Sequence, residues 1–126
     1  EPCRPDEVVR SASSFDIRQH KFHMACIKNY LASPNKIFDY MAAGIALLGS
    51  RLPVLEEIVE AAESGLLIEP TRDPRVIAEG IQLLTSQPGL IESMKMSAIN
   101  ACGVYQWDIQ VTPLVEFISA RVANGD

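Results

Sequence analysis

The sequence predicts an α/β domain in which helices cover both faces of a parallel β-sheet. Strand-like and helix-like segments alternate along the chain, which is the order of right-handed strand–helix–strand units. One strand-like segment, residues 45–49, is an uninterrupted apolar run of the kind that is buried on both faces of a parallel sheet. The 126 residues, of which 48% are hydrophobic, suit one domain with its own core.

The first part of the chain is predicted to contain a helix and a strand. Residues 5–12 should form a short helix that begins at Pro5 or Asp6, and residues 14–20 should form the first strand. Residues 20–32 show no clean hydrophobic period, which favours a loop that can include a helical turn.

Residues 33–49 are predicted to form a capped helix and then the buried strand. Ser33 should begin the helix, because its hydroxyl can accept a hydrogen bond from an orphan backbone amide and Pro34 has no amide to leave unpaired. Gly44 suits the left-handed residue that ends a helix. The apolar side of the helix is made by Ile37, Phe38 and Met41.

The later helices carry similar signals. Pro53, Pro74 and Pro113 each mark a predicted helix start, with Asp73 as the cap of the second, and Gly65 should end the helix that begins at Pro53. A further helix is predicted between the last two. The predicted core residues of these four helices are Val54, Leu55, Ile58, Val59, Ala62, Ile77, Ile81, Leu84, Leu90, Met94, Ala98, Ala101, Leu114, Ile118 and Val122.

Three strands are predicted, at residues 14–20, 45–49 and 66–70. The expected architecture is therefore a three-layer, Rossmann-like arrangement with helices on both faces of the sheet. So small a sheet leaves a long edge in need of a neighbour, so we expect residues 1–126 to be a single partial domain, a piece of a longer protein. The missing initiator methionine favours the same interpretation. The exposed edge could also pair with a second copy, which would give a dimer.

Composition argues against several classes of function. The net charge is −5, and no basic run could neutralise a row of phosphates, so nucleic acid is a poor partner. No apolar run approaches the ~20 residues that span a bilayer, and the N-terminus does not resemble a signal peptide. Cys3, Cys26 and Cys102 are far apart, which favours reduced thiols. We expect a cytoplasmic protein with no membrane span.

The helix that begins at Ser33 carries polar residues which a purely structural helix would not need. Ligands of open parallel sheets lie beyond the carboxyl ends of the strands, where helix N-termini gather. The free amides of the first turn, residues 33–37, and the Lys36 cation suit phosphate oxygens, while Asp39 could accept hydrogen bonds from the vicinal hydroxyls of a ribose. From spacing alone, an ordinary solvated ion pair between Lys36 and Asp39 is the favoured interpretation.

A longer pattern favours the nucleotide interpretation. The stretch SPNKIFDYMAAGIALLGSRLPVLEEIVEAAESGLLIEP, residues 33–70, resembles the donor-binding C-terminal domain of family 4 glycosyltransferases, which are two-domain enzymes of the GT-B fold. One subgroup of that family carries Pro-Asn-Lys, an apolar residue, Phe-Glu-Tyr-Met-Ala-x-Gly, a strand, and a Glu-rich helix followed by a second strand. The match continues through DPRVIAEGIQLLTS and VYQWD, and covers roughly residues 5–120. The chain would then be the second half of a GT-B C-terminal domain.

The resemblance implies a hexosyltransferase that transfers a hexose or amino sugar, with retention, from a nucleotide-diphosphate sugar to a glycan or lipid-linked acceptor. The acceptor would bind an N-terminal domain outside this sequence, so this chain alone is expected to be inactive. Asp39 corresponds to the second acid of the family's Glu-x7-Glu signature, which holds the ribose hydroxyls. No catalytic residue, metal ligand or cofactor is implied. The predicted nucleotide-sugar-binding residues are Ser33, Pro34, Asn35, Lys36, Ile37 and Asp39.

The sequence departs from the family pattern at three positions. Asp39 stands where glutamate is usual, which shortens the reach to the ribose by one methylene. Leu31 occupies the position of the first acid of the signature, and Ala46 replaces a usual proline. The first two departures motivate an alternative from another class, a non-catalytic Rossmann-like binding or scaffolding module. A flavodoxin-like signalling domain is a weaker alternative, because it would need an acidic pocket formed at several strand ends, for which Asp16 is the one candidate.

Several other residues are given structural interpretations. His20, His23 and Cys26 recur every third residue, but no fourth metal ligand is evident, so a histidine here is favoured as a donor-site neighbour or surface residue. Asp16 is expected to be satisfied by neighbouring amides, and Trp107 to lie in the core. Solvated positions on one helix are predicted for Glu56, Glu57, Glu60 and Glu63.

Overall fold

The structure is a computed structural model that describes residues 5–20, 27, 31 and 35–124. Helices and strands alternate through most of this part of the chain, which confirms the predicted α/β class. A 3-10 turn, Gly103–Tyr105, joins the last two helices. In chain order the elements are α1 (Pro5–Ala12), β1 (Ile17–His20), α2 (Lys36–Ala42), β2 (Ala46–Ser50), α3 (Pro53–Leu55, which continues as a π-helical turn at Glu56–Glu60), β3 (Gly65–Ile68), α4 (Pro74–Thr85), α5 (Pro88–Cys102) and α6 (Trp107–Asn124).

The three strands of the described region form one parallel sheet in the order β1-β2-β3. His20 of β1 pairs with Gly49 of β2, and Ser50 of β2 pairs with Ile68 of β3. The strands therefore finish at the same side of the sheet, which we call the carboxyl edge; the opposite side is the amino edge. Because a helix between parallel strands must run back along the sheet, α2 and α3 begin near the carboxyl edge.

Helices pack on both faces of the sheet, as predicted. Leu47 and Leu67 share a buried cluster with side chains of α2 and α3. Leu48 points to the opposite face, where α4 approaches so closely that a Cβ on Gly80 would lie 3.1 Å from Leu48 Cδ1. The buried members of the first cluster are Ile37, Met41, Leu47, Leu52, Leu55, Ile58, Val59, Leu67 and Ala98.

Helix α2 ends at Gly44, as the sequence predicts. Gly44 has φ +64°, a backbone conformation that side chains rarely allow. The Gly44 N–H donates to the Met41 carbonyl at 3.0 Å, and the Ile45 N–H donates to the Tyr40 carbonyl at 3.1 Å, which together form a Schellman cap. The cap turns the chain directly into β2, all of whose residues are buried.

The prediction that Gly65 ends α3 is wrong. Glu63 adopts the left-handed conformation, with φ 51°, and Gly65 is the first residue of β3. Gly65 is required there by close packing, since a Cβ would collide with the Leu47 carbonyl oxygen and would lie 2.9 Å from Val59 Cγ1. The π-helical turn, which adds a residue to the helical turn, brings Val59 to this position.

The predictions for the last helix are also wrong in part. Helix α6 begins at Trp107, six residues before the predicted start, and contains Pro113. Its beginning is set by the Gln106 carbonyl, which accepts hydrogen bonds from the N–H groups of Ile109 and Gln110. Trp107 is 76% exposed and therefore does not belong to the core. Four other residues that were predicted to lie in the core are at least 41% exposed and do not belong to it: Ile81, Leu114, Ile118 and Val122.

No helix within residues 5–20 and 35–124 combines the length and the apolar character that a membrane crossing requires.

Candidate functional site

Polar side chains from several elements collect at the carboxyl edge. Strand β1 ends in His20, β2 ends in Ser50 and is followed by Arg51, and β3 is followed by Glu69. Helix α4 begins just beyond β3 with Asp73 as its cap, and the Asp73 carboxylate accepts a hydrogen bond from the Arg75 N–H at 2.9 Å. The predicted location of a ligand site, beyond the carboxyl ends of the strands, is therefore rich in polar groups.

His20 and Lys36 lie on different elements, and the charge of Lys36 affects the pKa of His20. His20 is half-buried at the end of β1, and Lys36 is exposed at the start of α2. Burial lowers the pKa of His20 below 6.5, and the positive charge of Lys36 lowers it further. The charge of the Lys36 ammonium group therefore acts on the His20 imidazole.

Lys36 and Asp39 do not form the ion pair that the ordinary interpretation requires. Both residues lie in the described part of the chain, and no hydrogen bond or ion pair joins their side chains. Asp39 is half-buried, one helical turn beyond Lys36. The Lys36 and Asp39 side chains are therefore not paired with each other in this structure.

The other predicted binding residues divide into three groups. Ser33 and Pro34 lie outside the described residues, and the predicted serine cap lies there with them. The Asn35 carbonyl accepts hydrogen bonds from the N–H groups of Phe38 and Asp39, and its side chain does not cap the helix. The side chain of Ile37 is buried in the core, so Ile37 can contribute only its backbone amide to a ligand.

A small cavity opens at the carboxyl edge. Its volume is about 10 Å³, which admits at most one water molecule. The cavity is therefore too small to hold a nucleotide. Its polar lining consists of Gln19, His20, Ser50, Glu69 and Thr71.

Arg51 is the residue at this edge that sequence reasoning missed. Its Nη1 donates to Glu60 Oε1 at 2.6 Å and to Glu56 Oε1 at 3.2 Å, and its Nη2 donates to the Leu67 carbonyl. Its Nε lies 3.3 Å from Glu69 Oε1. The hydrogen bonds that Arg51 donates to Glu60 and, to a smaller extent, to Glu56 raise the pKa of Arg51 above its usual value.

This ion-pair cluster corrects the prediction of a wholly solvated acidic helix face. Glu56 and Glu60 are held by Arg51, whereas Glu57 and Glu63 are exposed, as predicted. The cluster joins the end of β2 to the π-helical turn and to the segment after β3. A signal was present in the sequence: an arginine directly after a strand, followed by glutamates four residues apart on one helical turn.

A larger groove lies at the amino edge. It has a volume of about 380 Å³ and is lined by Glu60, Glu63, Gly65, Leu90, Ser93 and Met94. The size suits a small ligand. The two charged residues that line it are both acids, Glu63 and the Arg51-paired Glu60, so the lining offers no cation to a diphosphate. For an anionic ligand, the sign of the charge favours the carboxyl edge over this groove.

Asp16 lies at the amino edge, before β1, and is paired differently from the prediction. Its carboxylate accepts a hydrogen bond from Lys95 Nζ of α5 at 3.0 Å, rather than from neighbouring amides. Lys95 also donates to Glu92 at 3.1 Å. This ion pair links α5 to the segment before β1 at the amino edge. Asp16 therefore lies at the opposite end of β1 from His20.

Within residues 5–20, 27, 31 and 35–124, no three His, Cys, Asp or Glu side chains are grouped so that they could hold a metal ion. His23 and Cys26 of the metal-site hypothesis lie outside these residues.

Comparison of the chain with known protein families, with characterised proteins and with solved structures finds no match to any of them.

Proposed function

We propose that this chain is the donor-binding part of a GT-B glycosyltransferase of the family 4 type. It would bind a nucleotide-diphosphate sugar at the carboxyl edge, and the complete enzyme would transfer the sugar with retention to a glycan or lipid-linked acceptor held by an N-terminal domain. The observation that carries the proposal is the position of Lys36 and Asp39 in the first turn of α2, which begins near the carboxyl edge, with no ion pair between the two side chains.

The proposed contacts follow the spacing of α2. Lys36 binds a phosphate oxygen, together with backbone amides at residues 35–37. Asp39 lies almost one turn further along the helix, roughly 5 Å in rise, which is the scale of the step from a diphosphate to its ribose. A carboxylate at that point accepts hydrogen bonds from both ribose hydroxyls. Because aspartate is shorter than glutamate, a bridging water completes the contact.

The protein supplies binding and orientation at this edge rather than a proton-transfer group. Both Lys36 and the helix amides favour the negative charge that develops on the leaving diphosphate, so they assist departure of the nucleotide as well as its binding. We assign no catalytic residue within this chain. Sugar transfer then depends on the acceptor domain, and this chain by itself would bind the donor without turnover.

A non-catalytic binding or scaffolding module is the second candidate. It is favoured by Leu31, which is exposed and stands where the family has its first acid. Such a module would retain the fold while the site at the carboxyl edge binds a nucleotide weakly or not at all.

Calorimetric titration of UDP, GDP and their common sugar conjugates distinguishes the two candidates. For the donor site, one nucleotide binds and Lys36→Ala weakens it by about 1.5–3 kcal/mol, roughly 10- to 150-fold, because a charge-assisted hydrogen bond is lost. Asp39→Asn should weaken nucleotides but not inorganic pyrophosphate, since it removes only the ribose contact. Arg121→Ala is the matched control, because Arg121 lies on α6 over the Phe117 ring. Absence of binding by every nucleotide would contradict the donor site.

A further inference from the structure

We infer that two copies of this chain associate through α6, which packs antiparallel against α6 of the second copy along an exposed apolar stripe. The contact surface is a helix face rather than the sheet edge that the sequence suggested. The inference is independent of the proposed function, because it uses no residue of the candidate donor site.

Most of α6 is exposed on every side. Each residue from 112 to 123 is exposed, whereas the beginning of the helix is tied to the 3-10 turn by Gln110 Nε2, which donates to the Val104 carbonyl at 2.8 Å. Helices in proteins owe most of their stability to the packing of an amphipathic face. Within the described residues, α6 has such a face beyond residue 111 and nothing covers it.

The apolar stripe follows one face of α6. At about 100° of rotation per residue, its six side chains fall within an arc of about 100°. The three charged residues of the helix, Asp108, Glu116 and Arg121, all lie outside that arc. Exposure is high along its whole length, from 76% at Trp107 to 72% at Val122. The stripe consists of Trp107, Val111, Leu114, Val115, Ile118 and Val122.

The stripe is large enough for a weak but specific dimer. From the exposed fractions, it presents about 500 Å² of side-chain surface per chain, so a pair would bury about 1,000 Å² from the stripe alone. Specific interfaces between proteins begin near about 1,000 Å² in total. The polar residues that flank the stripe add to this area.

Antiparallel pairing matches large side chains with small ones. A twofold axis between residues 114 and 115 makes three layers, each of which joins a larger side chain of one copy to a valine of the other. Alternation of large and small residues across a contact lets the layers interdigitate. A parallel pair would instead place Trp107 on Trp107 and Val122 on Val122. The layers are Trp107 with Val122, Ile118 with Val111, and Leu114 with Val115.

The charges of α6 favour a second copy over a membrane surface. The helix carries two acids, Asp108 and Glu116, and one base, Arg121, whereas anionic membrane surfaces attract helices rich in Lys and Arg. In the antiparallel pair the two Asp108 carboxylates are 13 positions apart along the axis, which is about 20 Å and therefore well screened. The two Arg121 side chains have the same separation, and Glu116 lies on the side of the helix away from the stripe.

Analytical ultracentrifugation of the 126-residue chain tests the association. Because the interface is at the low end of the specific range, the chain should sediment as a monomer at about 1 μM and as a dimer at about 1 mM. Acrylamide should reach Trp107 freely at the lower concentration and poorly at the higher one. A chain that remains monomeric at the higher concentration would refute the inference.

Two isoleucines of α6 provide a matched pair of variants. Ile118 lies in the stripe and Ile109 lies nine positions away, on the opposite side of the helix, and the two are 50% and 52% exposed. Ile118→Glu should weaken dimerisation at least about tenfold, because it buries a charge, whereas Ile109→Glu should change it less than about twofold. Circular dichroism should show both variants folded. Equal weakening by the two variants would refute the stripe as the interface.

The direction of pairing has its own readout. Trp107 and Val122 are 15 positions apart, about 22 Å along one helix, so a nuclear Overhauser effect between them can arise only between copies. We expect this effect between the Trp107 indole and the Val122 methyl groups at high concentration, and its loss in Ile118→Glu. A dimer that shows contacts between the two Trp107 rings instead would refute the antiparallel arrangement. Nucleotide titration decides the donor site separately, since no residue of α6 belongs to it.

Discussion

Gly65→Ala tests how the sheet and the π-helical turn fit together. The added Cβ would collide with the Leu47 carbonyl oxygen and would lie 2.8 Å from Leu47 Cβ and 2.9 Å from Val59 Cγ1. Carbon atoms in contact prefer about 3.5–4.0 Å, so both carbons are too close by roughly 0.6 Å or more. One obstacle is a backbone atom of the neighbouring strand, which cannot rotate away as a side chain can.

The expected cost follows from this crowding. Overpacking costs about 1–3 kcal/mol, and the backbone obstacle places Gly65→Ala at the upper end, about 3 kcal/mol. With a urea dependence of about 1.5 kcal/mol per molar, the unfolding midpoint should fall by about 2 M. The assay is urea denaturation followed by far-ultraviolet circular dichroism.

Gly89→Ala provides the matched control. Gly89 lies in the first turn of α5, and a Cβ there would meet no atom within 4 Å. Alanine in a helix is favoured over glycine by about 0.5–1 kcal/mol, so Gly89→Ala should raise the midpoint slightly. If Gly65→Ala unfolds at the same urea concentration as Gly89→Ala, the packing of β3 between Leu47 and Val59 is wrong.

Three further predictions concern a cap, an exposed aromatic ring and a titrating group. Asp73→Ala should lower the free energy of unfolding by about 1 kcal/mol, because it removes the acceptor of the Arg75 N–H, whereas Asp73→Asn should retain most of it; equal losses in the two would refute the capping role. Trp107, the single tryptophan, is 76% exposed, so acrylamide should quench its fluorescence nearly as well in the folded as in the unfolded protein, and strong protection would contradict its placement. Because burial and Lys36 lower the pKa of His20, the unfolded chain binds more protons at this residue, and stability should decline as the pH falls through 6.5 towards the folded pKa. His20→Gln should lack that part of the decline between pH 7 and pH 5; identical profiles would refute it.

Local signals in the sequence predicted the elements whose ends are decided by nearby backbone chemistry. Gly44 ends α2 and Asp73 caps α4 because a left-handed conformation and an unpaired amide are satisfied by adjacent residues. Strand β2 was recognisable because both of its faces are buried, which leaves an uninterrupted apolar run. These features need no knowledge of distant parts of the chain.

The features that the sequence did not predict depend on contacts between distant residues. Gly65 was predicted to end a helix, but glycine is needed there because Leu47 and Val59, from other elements, pack against its Cα. The local sequence does not show those contacts. The pairing of Asp16 with Lys95 joins residues 79 positions apart. The start of α6 at Trp107 was missed because proline was taken as the first residue, whereas Pro113 is accommodated inside the helix.

The candidate site was predictable in part for the same reason. Lys36 and Asp39 were identified from their position in the first turn of a helix, and the structure keeps them on that turn without an ion pair between them. The lowering of the His20 pKa by Lys36 involves residues of two separate elements, so it could not be derived from local spacing. Arg51 was not predicted as a site residue because its partners lie in three segments of the chain: the π-helical turn, β3 and the residues after β3.

The most direct test of a donor site at the carboxyl edge is to map nucleotide binding onto the chain. Amide chemical shifts of isotopically labelled protein would be recorded during titration with UDP and with GDP. A donor site predicts that the largest changes fall on His20, Lys36, Asp39 and Ser50, with residues around the amino-edge groove, such as Glu63 and Ser93, unaffected. Changes that concentrate on Glu63, Ser93 and Met94, or no changes at saturating nucleotide, would contradict it.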